Sequence, residues 1–165
     1  MNITPTQISE LKPNEVFVFG SNLDGNHAGG AAKFAVLKFG AKMGQYNGLQ
    51  GQSYAIPTLS HPGGVDEHKL PLETIQKYVN EFIQFAQKNP NLFFYVTPIG
   101  CGIAGFTEQE IAPMFKHCLQ MSNVALPQSF VDILDSDTDV NDEQIHKIVQ
   151  ESIKKILNKK YFNIN

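Results

Sequence analysis

Residues 20–30 (GSNLDGNHAGG) place four glycines, two asparagines, one aspartate and one histidine within eleven positions. Glycines between a buried strand and a helix let backbone N–H groups approach an anion, which also gains from the helix N-terminus. A tight turn needs only one or two glycines, so the excess points to a ligand loop. Asn22, Asp24, Asn26 and His27 can orient a water or hold sugar hydroxyls; Asx-turn chemistry is the plainer use of the same side chains. Asp24 and His27 are the loop's only titratable groups, and so its candidates for positioning or deprotonating an attacking water. A second Gly/Gln-rich stretch covers 44–52, and a third glycine loop runs from Thr97 to Phe106.

Two familiar phosphate motifs are tested against these loops. Gly25 to Gly30 has Walker A spacing, but Ala31-Ala32 stand where the lysine and hydroxyl residue belong, which disfavours a phosphate-loop hydrolase. Gly100, Gly102 and Gly105 spell G-x-G-x-x-G after a strand. However, the helix starts only after Thr107 and no acid follows at the expected distance, so a nicotinamide Rossmann domain is an outsider. Cys101, between two glycines, could be a thiolate paired with His27, His61 or His68; as a small apolar packing residue it needs no partner. Cys118 reads as core. His61 and His68, with Asp66 and Glu67, offer a metal set or a solvated loop, and the solvated loop is the expectation. Tyr46, Tyr54 and Phe106 lie near the loops and could stack on a base or ribose, though such residues are more often core. His117 and His146 read as surface residues.

The elements that must position these loops alternate. Residues 16–19 (VFVF) form a continuous apolar run, expected as a strand covered on both faces. A helix follows from 31 to 38, ending near Gly40. Residues 53–56 are a short strand that Pro57 terminates, and a polar loop fills 58–70. Leu72, Ile75, Val79, Phe82, Ile83 and Ala86 have helical spacing within 70–88. Residues 92–96 form another buried strand. Thr107 and Glu110 form a capping box opening a helix to about Met121. Phe130 to Leu134 reads as the last strand. Asp135, Asp137, Asp139 and Asp142 read as an acidic turn, and Asn141/Asp142 as the cap of a helix through Lys159-Lys160. The apolar stripe of that helix (Ile145, Ile148, Val149, Ile153, Ile156) must pack on something. The alternation implies βαβ units in a largely parallel sheet, with ligands at the strands' carboxyl ends.

Composition bounds the partners. The chain has 165 residues, 42% hydrophobic and 18% charged, which suits one domain spanning 1–165. The net charge of −3 argues against non-specific nucleic-acid binding. All 13 basic residues are lysine, so no guanidinium fork is available for an anion. Two cysteines without disulfide or zinc spacing, and no apolar run suited to a signal or membrane span, lead to a cytoplasmic expectation with no membrane partner.

Three stretches together resemble the macrodomain superfamily: Phe19-Gly20-Ser21-Asn22 followed by Ala28-Gly29-Gly30-Ala31-Ala32; Ser53 to Thr58; and Val96 to Phe106, a strand ending in Pro-x-Ile-Gly-x-Gly. They occur in macrodomain order over about residues 15–134. The third is most similar to the class that removes terminal ADP-ribose from glutamate. The chain also resembles small macrodomain-like proteins of bacteria and bacteriophages. The resemblance implies a three-layer α/β/α sandwich with a mostly parallel mixed sheet, plus the C-terminal helix. It implies ADP-ribose or a related NAD-derived nucleotide in the cleft, alone or on an ADP-ribosylated macromolecule. The ligand-binding residues so implied are Gly20, Ser21, Asn22, Gly29, Gly30, Ala31, Thr58 and Ile99, with Gly100, Cys101, Gly102, Ile103, Ala104, Gly105 and Phe106. Asn22, Asp24 and His27 are the catalytic candidates, Asn22 meeting the distal ribose. No metal or cofactor is implied. The sequence departs from catalytic members at Ala32, Thr58 and Ala104, where acidic or lysine residues are usual. Hydrolysis of ADP-ribosyl bonds therefore stays open beside a non-catalytic nucleotide-sensing, sequestering or partner-interaction module. Oligomerisation through the C-terminal helix is a further expectation.

Overall fold

The computed structural model describes residues 1–162, with side chains at all of these except 137–143 and 158–162. The side chains of Asp137, Asp139, Asn141, Asp142, Lys159 and Lys160 therefore lie outside the described residues.

The chain is α/β. Six strands form one sheet in the order β1-β6-β5-β2-β4-β3. They are β1 (Asn2–Ile3), β2 (Glu15–Asn22), β3 (Gly48–Gln50), β4 (Ser53–Leu59), β5 (Phe93–Val96) and β6 (Val124–Leu126). All neighbours are parallel except β3, which runs antiparallel to β4. The helices are α1 (Gly30–Phe39), α2 (Leu72–Lys88), α3 (Glu108–Ile111) and α4 (Gln128–Phe162), with 3₁₀ turns at Asp66–His68 and Ala112–Gln120.

β2 shows why its apolar run is unbroken. Val16 and Val18 enter a core with α2, the 112–120 segment and the start of α4; Phe17 and Phe19 enter a second core with α1. Both faces are covered, so alternation with polar residues has no place. α2 presents Ile75, Val79, Phe82, Ile83 and Ala86 to the first core. α1 ends where expected: Gly40, at φ 75°, takes the left-handed cap and donates to the Ala35 carbonyl.

Four expectations are corrected. Pro57 does not end its strand, because β3 stops opposite Ala55 and leaves no ladder bond there for the proline to break. The capping box at Thr107 and Glu110 is present, but α3 lasts only to Ile111; Pro113 then tightens the chain into a 3₁₀ helix. The last strand is Val124–Leu126, not 130–134. Pro127 ends it and opens α4, whose Phe130, Val131 and Leu134 are buried at helical spacing. No acidic turn interrupts that helix, which runs on through 135–143 as part of 35 residues. Among the described residues no helix is long and apolar enough to cross a membrane.

Candidate functional site

The parallel strands β2, β4 and β5 end on one side of the sheet, and their following loops converge there. A cavity of about 470 Å³ lies between them. The end of β2 contributes Gly20, Ser21 and Asn22, and its loop Asn26 and Ala28. Gly29, Gly30, Ala31 and Ala32 bring the start of α1. Thr58 and Leu59 come from β4, with Pro62 and Gly63 beyond it. The loop after β5 supplies Thr97, Pro98, Ile99, Gly100, Gly102, Ile103 and Ala104.

Backbone amides are the cavity's main donors. Gly29 caps α1 without a side-chain bond, and the first helical bond is Lys33 N–H to Gly29 C=O. The amides of Gly30, Ala31 and Ala32 therefore have no acceptor within the helix. In the β5 loop, the amides of Cys101, Gly105 and Phe106 donate to Pro98, Gly102 and Gly100 carbonyls. Those of Gly102, Ile103 and Ala104 take no part in the loop's own bonds. Close approach builds this geometry: a Cβ on Gly20 would sit 3.3 Å from the Gly100 nitrogen, and one on Gly64 would run into the Ile103 carbonyl oxygen at 2.2 Å. No lining residue carries a titratable side chain.

Side chains around the cavity mostly hold the loops. Asn22 is buried; its amide donates to Asn26 C=O at 2.8 Å and its oxygen accepts from Asn26 N–H at 3.0 Å. Thr58 hydroxyl donates to Ser21 C=O, and Ser21 hydroxyl to Tyr46 C=O. The second Gly/Gln-rich stretch is therefore a brace for the first loop. Gly25 also belongs to this brace: at φ 64°, its added Cβ would lie 2.5 Å from the Gly44 carbonyl carbon.

Twelve of the fifteen expected ligand-binding residues line the cavity; Cys101, Gly105 and Phe106 do not. Phe106 is buried in the first core, with the Lys69 ammonium 5.1 Å over its ring. Cys101 donates to Ile99 C=O; burial and then the Glu108 and Glu110 charges push its thiol up to about 11, so it is not a thiolate near neutrality. Cys118 is core, and burial pushes it up to about 12. Tyr54 is core, and Tyr46 lies outside the cavity lining.

Of the catalytic candidates only Asn22 lines the cavity. His27 is 1% exposed, edge-on to Phe19, with Nε2 3.0 Å from Gln45 C=O and Nδ1 without a partner. It is a strut facing away from solvent. Asp24 is exposed, and its carboxylate lies 2.9 Å from His61 Nδ1. His61 immediately precedes Pro62 and Gly63, so this pair stands beside the cavity rim. His68 packs on His61, but among the described residues no three His, Cys, Asp or Glu side chains are arranged to hold a metal.

A second, larger hollow of about 1070 Å³ shares Gly30, Ala31, Thr97 and Pro98 with the first. Residues 3–9, Phe17, Phe34 and Pro127 to Ser129 complete it. Sequence reading missed this groove because its walls come from segments over a hundred residues apart. No family model matches the chain, and neither a curated protein nor a solved structure matches it.

Proposed function

We propose that the chain is a macrodomain-like three-layer α/β/α protein that binds ADP-ribose or a related NAD-derived nucleotide across its two joined hollows. The observation that carries this reading is the shared wall at Gly30, Ala31, Thr97 and Pro98. On one side stands a cavity whose donors are backbone amides from two glycine loops, suited to a diphosphate. On the other stands an apolar groove with Phe17 and Phe34, suited to a flat base. Both volumes are of ligand-pocket order. Because no titratable group lines the first cavity, binding without turnover is the reading preferred.

Calorimetry with ADP-ribose tests it, using Ala31→Asp as the control. An aspartate in the first turn of α1 suits the helix dipole, so the fold should hold. Its carboxylate would meet the diphosphate, and affinity should fall at least about tenfold. No heat and no rise in melting temperature with ADP-ribose, NAD or ADP would end the proposal.

One observation favours hydrolysis as a second reading. With Nδ1 held by Asp24, His61 leaves Nε2 to take a proton from a water that attacks the anomeric carbon. In that case His61→Ala and Asp24→Asn abolish release of ADP-ribose from modified protein while calorimetric binding persists. Absence of release from the unaltered chain rejects this reading and leaves the binder.

A further inference from the structure

We propose that the outer half of α4 pairs antiparallel with the same segment of a second copy of this chain. α4 is anchored at its start, where Phe130, Val131 and Leu134 are buried. Every residue from 144 to 157 is exposed. These include Ile145, Ile148, Val149, Ile153, Ile156 and Leu157, each between 45% and 65% exposed. Their spacing puts them on one side of the helix. A helical stretch without tertiary packing is marginal in water, and so is an uncovered apolar stripe of this kind.

Charge selects the occupant. Residues 132–143 carry six acids (Asp132, Asp135, Asp137, Asp139, Asp142, Glu143) and no lysine. Residues 147–160 carry five lysines (Lys147, Lys154, Lys155, Lys159, Lys160) and one acid, Glu151. A parallel pair would set acid beside acid and lysine beside lysine. An antiparallel pair centred near Glu151 sets helix positions 142 and 143 of each copy, Asp and Glu, opposite positions 160 and 159 of the other, both Lys. The same register puts Ile145 opposite Leu157 and Val149 opposite Ile153. Two such faces bury on the order of 1,000 Å², the lower end for a specific interface, which implies a reversible dimer. The contact is isologous and closes, so it gives dimers and not fibres.

Sedimentation equilibrium on the full chain tests the pairing, together with mild oxidation of Ile145→Cys and Leu157→Cys variants. The expected result is a salt-weakened dimer, with at least about tenfold weaker association in the Val149→Asp/Ile153→Asp variant. A mixture of the two cysteine variants should form a disulfide-linked dimer, and neither variant alone should exceed the unaltered chain. Far-ultraviolet circular dichroism on the aspartate variant shows whether the body stays folded. A monomer at every concentration overturns the proposal. So does cross-linking of Ile145→Cys with itself, which marks a parallel pair, or attachment of a monomer to phosphatidylserine vesicles.

Discussion

His27 and Cys101 show how far a residue's type can be read without its direction. Both sit inside glycine loops next to cavity-lining neighbours, and both turn away from the cavity. In a loop, side-chain direction depends on dihedral angles that composition does not encode, so nearness in sequence placed them at the site and geometry removed them. Cys101 offers a direct test. Its thiol is raised from 9.0 to about 11, first by burial and then by the Glu108 and Glu110 charges. A thiol held that high has roughly a hundredth of the usual thiolate. Alkylation by iodoacetamide at pH 8 should therefore run about a hundredfold slower than for an exposed cysteine, with Cys118, pushed up to about 12, slower still. Fast labelling of Cys101 would restore the reactive reading.

Elements were legible where a run was long or carried end signals. α2 announced itself by spacing, β2 by an unbroken apolar run, and α3 by its capping box. β6 was not legible: three residues before a proline carry no period, and Phe130 to Leu134 offered a longer apolar run nearby. β1, two residues long, was equally silent. The α3 cap can be measured. Thr107→Ala removes the hydroxyl that accepts from the Glu110 amide, and should cost about 1 kcal/mol in denaturant unfolding. The Glu110 carboxyl is held below the usual range, first by the Thr107 backbone N–H and then by its hydroxyl. A lowered folded pKa means that its stabilisation is present above the usual carboxylate range. It is lost as pH falls through the lowered value. Unaltered protein should thus exceed Glu110→Gln in stability at neutral pH, and the gap should close in acid.

At the scale of the molecule, one side of the sheet gathers what the sequence scattered. The two glycine loops were visible because glycine clusters leave a compositional trace. The apolar groove beside them leaves none, since Ile3, Phe17, Phe34 and Pro127 each read as ordinary core or linker residues. The cavity's lack of titratable groups has a consequence for solution behaviour. An N–H donor does not titrate, and a diphosphate diester keeps its charge through neutrality. ADP-ribose affinity should then vary less than about threefold between pH 6 and 9. A larger change, abolished by Asp24→Asn or His61→Ala, would bring the rim pair into binding.

The amide-built cavity also decides which mutations can reveal it. A donor that belongs to the main chain survives every side-chain truncation. Alanine replacement at Ser21, Thr58 or Asn22 removes a side chain that ties the loops and no main-chain donor. A conventional alanine scan would therefore pass over this site as though it were inert surface. What exposes it is addition: a carboxylate at Ala31, or bulk at Gly29 and Ala104. The positions most tolerant of deletion would then be the least tolerant of growth, and that asymmetry is itself a signature of backbone recognition.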